Sequence, residues 1–269
     1  MKLTEYVKKL IGNYKGNTKT FRLFLILRFL VLLTAVRCLV TRNFESFATC
    51  LLVLLLFLVP AFIEDKMDLT IPPVFQAIIF SFIFAAEILG EVDHYYVRIP
   101  GWDTILHTIN GFLFAAVGFS LIYLLNRGSK NFNVSPFYMT VVAFCFSMTI
   151  GVLWEFFECG MDIFFGKDMQ KDFFVTTINS CELDPAKNQT LITIKDIVST
   201  QITTASGEVF TINDGYLDIG ILDTMKDLFV NFIGAVVFCI FGLIYETVGN
   251  KSKTAAKVVE GLRIKPADE

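Results

Sequence analysis

Six runs of mostly apolar residues dominate this chain, near 23–40, 46–63, 74–90, 104–125, 137–157 and 228–248. A bilayer's hydrocarbon core is about 30 Å thick and a helix rises about 1.5 Å per residue, so each run is long enough to cross it. No water is present there to satisfy backbone polar groups, which leaves helices as the form such runs take. The expected fold is therefore an all-α integral membrane protein with six transmembrane helices. Composition agrees: 54% of residues are hydrophobic and the mean hydropathy is +0.61, against roughly 45–50% apolar content in soluble domains. A net charge of −3 and a pI near 5.5, without a dense basic face, exclude a nucleic-acid partner. The partner that the chain requires is the lipid bilayer.

The first run follows a basic stretch and has no small-residue cleavage site after it, so it reads as a retained helix rather than a signal peptide. Arg28 and Arg37 within it are expected to snorkel toward opposite interfaces. Basic residues gather before the first run (Lys2, Lys8, Lys9, Lys15, Lys19, Arg22), between the fourth and fifth (Arg127, Lys130) and after the sixth (Lys251, Lys253, Lys257, Arg263, Lys265). By the positive-inside rule both termini are cytoplasmic, as an even number of spans requires.

This divides the chain into a six-helix membrane domain over 1–250, an extracytoplasmic loop or cap over 163–226, and a cytoplasmic tail over 251–269. The loop is rich in Thr, Ile and Val around Ser206-Gly207, which predicts a small β-hairpin between helices 5 and 6. MQKDFFVTTI (169–178) echoes TMKDLFVNFI (224–233), through shared amphipathic patterning or as two segments approaching one surface. Six cysteines, four of them in apolar runs, form neither a disulfide framework nor a paired zinc motif and read as free thiols.

Ionisable residues concentrate at one end of the expected bundle. The third span leaves through Glu87 and Glu91; the fourth begins GWDTILHTING, with Asp103 and His107 one turn apart; the fifth leaves through WEFFECGMD, with Glu155, Glu158 and Asp162; the sixth begins DTMKDLFVN, with Asp223, Asp227 and Asn231 at steps of four. Spacings of three and four put successive side chains on one helix face. Each ionised side chain near the bilayer centre costs about 2.5–3.5 kcal/mol on insertion scales, less near the interface, so such a cluster implies a function or a compensating charge.

Three readings of the cluster stand. In the first, a divalent metal (Zn, Mn or Fe) is held by His107, Glu155, Glu158 and Asp227, because one imidazole with several carboxylates suits those ions. The same His107, Glu155 and Glu158 are the candidate catalytic groups, with Glu87, Asp103, Asp162, Asp172, Asp223 and Asn231 as supporting candidates. In the second, the carboxylates share protons or are compensated by Arg37, Arg98, Lys171 or Lys226. In the third they are ordinary interfacial charge. Paired Glu-x-x-His motifs of di-iron bundles are missing, as are His-Glu-x-x-His, Gly-x-Ser-x-Gly and Walker A patterns. Lone His107 also suits an interhelical hydrogen bond, His94 sits in a short loop where exposure is expected, and Tyr95, Tyr96, Trp102 and Trp154 read as an interfacial aromatic belt.

GWDTILHTINGF, WEFFECGMD, DMQKD and DTMKDLFVNFIGA together resemble uncharacterised bacterial multi-pass proteins of the YjdF type, from roughly the third helix to the sixth. That resemblance implies a bacterial cytoplasmic membrane. A looser similarity is to VanZ-like membrane proteins: Asp103 and His107 look like their Asp-x-x-x-His, and Asp227, Asn231 and Gly234 look like their Asp-x-x-x-Asn-x-x-Gly. Their Glu-x-x-Gln with a following Arg is Glu155-x-x-Glu158 here, without that Arg.

The expected function is a His/carboxylate pocket at the outer leaflet that binds a divalent metal or a polar headgroup and acts on an envelope lipid. An ion-coupled transporter and a non-catalytic accessory protein that recruits an envelope partner are the alternatives.

Overall fold

A computed structural model describes residues 17–127 and 134–268. Lys2, Lys8, Lys9, Lys15 and Lys130, used above to orient the chain, lie outside the described residues. Among those described, six helical segments are long and apolar enough to cross a membrane: Thr18–Val40, Phe44–Met67, Pro73–Val92, Trp102–Asn126, Pro136–Phe165 and Ile221–Val248.

Local chemistry sets the boundaries. Helix α1 (Thr18–Val40) begins at Asn17, whose side chain accepts hydrogen bonds from the amides of Lys19 and Thr20. The second span is two helices, α2 (Phe44–Leu56) and α3 (Val59–Met67), because Pro60 lacks the amide that a continuous helix would use. Helix α4 (Pro73–Ile83) opens on Pro72-Pro73 and continues as a π-helix over Phe84–Val92. After the short α5 (Tyr95–Arg98) come α6 (Trp102–Arg127) and α7 (Pro136–Phe165).

The last span, α8 (Ile221–Val248), follows an insert of short antiparallel pairs. There β2 (Phe174–Val175) pairs with β7 (Tyr216–Leu217), β3 (Ile178–Ser180) with β4 (Ile192–Ile194), and β5 (Ser199–Thr203) with β6 (Val209–Asn213). The last pair is the hairpin expected around Ser206-Gly207. The expected loop over 163–226 is shorter than its sequence suggested, because α7 runs on to Phe165 and α8 starts at Ile221. Of the two echo segments, residues 224–233 are helix, whereas 169–178 are extended chain that reaches β2, so the echo is not a structural repeat.

The chain forms two compact units: Met1–Gly151 with Phe229–Glu269, and Val152–Leu228. The first has two cores. One joins α1 to α4 through Phe24, Phe57 and Phe80, whose ring centroids are 5.4–6.2 Å apart. The other packs Phe75, Phe119, Ala143 and Phe238 against the chain's C-terminal segment.

That segment, expected only as a cytoplasmic tail, carries a helix and a strand packed onto the larger unit. Helix α9 (Lys253–Leu262) buries Ala255, Val259 and Leu262 on one face, and β8 (Lys265–Pro266) pairs with β1 (Leu69–Thr70). The Ile264 amide donates to Ser120 Oγ at 3.0 Å, and Arg263 stacks on Tyr123 at 4.2 Å. Burial at a four-residue and then a three-residue step pulls the strip inward despite its lysines.

All six cysteines are free, with Cys38 and Cys50 buried and Cys145 exposed on α7. Arg37 meets Asp93 at 2.5 Å, while Arg28 lies over the Phe24 ring at 5.8 Å.

Candidate functional site

Within the larger unit, α6, α7 and α8 meet at Gly111. A methyl on Gly111 would collide with the Asn231 carbonyl, and one on Gly234 with the Thr108 carbonyl. Only glycines allow two helix backbones this close. Ser147 Oγ of α7 donates to the Gly111 carbonyl at 2.7 Å, Asn110 Nδ2 to Asn231 Oδ1 at 3.3 Å, and Asn231 Nδ2 to the thioether Sδ of Met148 at 3.5 Å. Gly151 faces Asn231: a Cβ there would lie 2.9 Å from Asn231 Nδ2. Gly111, Gly151 and Asn231 thus fix the mutual register of three helices. One turn along α6, His107 is buried and its Nε2 lies 3.3 Å from Asp103 Oδ1. A carboxylate on Nε2 favours the tautomer protonated there, with the lone pair on Nδ1.

The smaller unit holds the other acids. Glu155 and Glu158 are 4% and 8% exposed although they stand between exposed Phe156, Phe157 and Trp154, so they occupy the inward stripe of α7. Trp154 Nε1 donates to Glu158 Oε1 at 2.8 Å. The aromatic-belt expectation missed that contact, although the four-residue spacing of Trp154 and Glu158 is the signal that could have found it. On α8, Asp223 and Asp227 are 3% and 1% exposed, and Lys226 Nζ reaches them at 2.7 Å and 3.6 Å. Lys226 is the expected compensating cation. Lys171 instead pairs with Asp168 at 3.0 Å, and Arg98 is exposed.

Several supporting candidates have a different task. Asp162 accepts from the amides of Met169 and Gln170 at 2.6 Å and 2.9 Å, and Asp223 Oδ2 accepts from the next amide, Lys171, at 2.8 Å. Two carboxylates on different helices therefore grip three consecutive amides, and Gln170 adds a side-chain bond to Thr224. Asp218 continues the pattern with the amides of Phe173 and Leu222, both at 2.7 Å. These acids fasten the strand insert to α7 and α8. Asp172 is exposed, and partial burial with the nearby carboxylates of Asp168, Asp218 and Asp162 pushes its carboxyl above the usual range. Glu87 is half-buried on the π-helix, and His94 is exposed as expected.

Of the residues expected to form the site, His107 in the larger unit and Glu155, Glu158 and Asp227 in the smaller unit are each buried, and Asp103 is half-buried. Helices, polar inward stripes and lipid-length apolar faces define a multi-pass membrane protein. Residues 21–247 match the family described as a predicted membrane protein (DUF2238), and the chain belongs to that family. Neither a curated protein nor a solved structure matches it.

Proposed function

We propose that this protein binds a divalent metal ion through His107, Glu155, Glu158 and Asp227, with Asp103 orienting the imidazole. The observation that carries the reading is the register set by Gly111, Gly151 and Asn231. His107, Glu155 and Asp227 each stand four positions from one of these residues on an unbroken helix: His107 before Gly111, Glu155 after Gly151 and Asp227 before Asn231. One turn is roughly 5.4 Å of rise. Glu158 extends the α7 stripe by three residues.

One nitrogen and several oxygens favour Zn, Mn or Fe over Cu(I). Such an ion offsets the cost of burying carboxylates among helices. A site among membrane-spanning helices meets lipid headgroups, and metal-assisted chemistry on an envelope lipid is the activity that it would support. The YjdF-type resemblance, and with it a bacterial cytoplasmic membrane with both termini inside, is consistent with this reading. Transport is the weaker alternative: beyond Gly111, away from His107, the core is Phe119, Phe238, Val259 and Leu262.

Thermal unfolding with and without Zn²⁺ or Mn²⁺ tests the proposal. Wild type and Asp218→Asn should be stabilised by saturating metal, whereas His107→Ala and Glu155→Gln should lose that shift. Equal stabilisation of all four proteins would refute it.

A further inference from the structure

Within the larger unit a groove of about 570 Å³ runs between α1, α4 and α6. Its floor is a ladder of small residues on the third span, Ala77 and Ser81 of α4 and Ala85 of the π-helix; Leu23 and Leu106 also line it, and Lys19 stands at one end. We infer that this groove holds one acyl chain of an anionic membrane lipid, with the headgroup beside Lys19.

Dimensions select the occupant. From Pro73 to Ala85 the groove follows the third span for roughly 18 Å at the usual rise per residue. That matches one leaflet, half of a hydrocarbon core about 30 Å thick.

Charge selects the headgroup. Lys19 is exposed at the groove's end, where Thr20 Oγ1 donates to the Pro73 carbonyl at 3.1 Å and ties the starts of α1 and α4 together. Basic residues near the membrane surface attract anionic lipid with about 1 kcal/mol each, roughly a fivefold preference. The groove's other end reaches Leu106, next to His107, but the inference stands on the groove alone and does not require a metal.

Native mass spectrometry of the full chain, titrated with phosphatidylglycerol and with phosphatidylcholine of identical chains, tests it. Wild type should retain one phosphatidylglycerol about fivefold more tightly than phosphatidylcholine. Ser81→Trp should lose the retained lipid of both kinds, and Lys19→Glu should keep a lipid but lose the preference. Ala77→Leu, a smaller obstruction, should weaken retention if Ser81→Trp unfolds. Unchanged retention in folded Ser81→Trp or Ala77→Leu would overturn the inference. So would a wild-type dimer that either variant dissociates, which would assign the groove to a second copy.

Discussion

Gly111 and Asn231 meet backbone to backbone, with the Asn231 carbonyl standing where a side chain on Gly111 would begin. Helix backbone cannot yield as a flexible side chain does. Gly111→Ala should therefore cost about 1–3 kcal/mol through overpacking, measured by reversible unfolding in mixed micelles. Because α6 carries His107 one turn away, the same substitution should also weaken metal binding.

Asn231 has a second duty through its side chain, which bonds to Asn110 and Met148. Interhelical hydrogen bonds in membranes average about 0.6 kcal/mol and reach about 1.7 kcal/mol. Asn231→Leu should accordingly destabilise by about 1 kcal/mol, far less than a lost ligand should cost in metal affinity. A stability loss of several kcal/mol would mean that the side chain does more than hold helices together.

Asp162 and Asp223 clamp the amides of Met169, Gln170 and Lys171. Replacing either with Ala leaves part-buried amides without acceptors, at about 1–3 kcal/mol. Cleavage by an added protease should then appear between residues 166 and 173, with the helices intact. Metal binding should survive Asp162→Ala, which distinguishes a clasp from a ligand.

Asp184 receives the amides of Ala186, Asn188 and Thr190 at 2.8–3.1 Å. Those amides, Thr190's foremost, hold its carboxyl below the usual carboxylate range. The sign follows from linkage: a depressed acid stabilises the loop above its unfolded value near pH 4, and that contribution is lost as pH falls through the lower folded value. Amide exchange at Ala186, Asn188 and Thr190, corrected for intrinsic rates, should speed up on acidification. Asp184→Asn should abolish the acid-dependent part.

The spans were legible because bilayer thickness imposes a length on every apolar run, and the hairpin at Ser206-Gly207 because alternation flanks a turn pair. Sequence did not show that α7 and α8 extend past the apolar runs. Asp162 and Asp223 hold those ends through amides of the insert, a contact that spacing alone does not show. In the C-terminal helix the lysines gave the side of the membrane expected for the segment but not its structure, which rests on the buried stripe of Ala255, Val259 and Leu262. For the candidate site, spacing identified the faces bearing Glu155, Glu158, Asp223 and Asp227. It could not separate Asp223, occupied by a backbone amide and Lys226, from the proposed ligands, because that division depends on where the insert returns.

Elemental analysis of the purified, dialysed protein beside His107→Ala and Glu155→Ala tests the central claim most directly. The proposal predicts close to one equivalent of a divalent transition metal in wild type, lost in both variants while their helix content and monodispersity persist. Wild type that stays metal-free after growth with supplemented Zn, Mn and Fe, although folded, would contradict it.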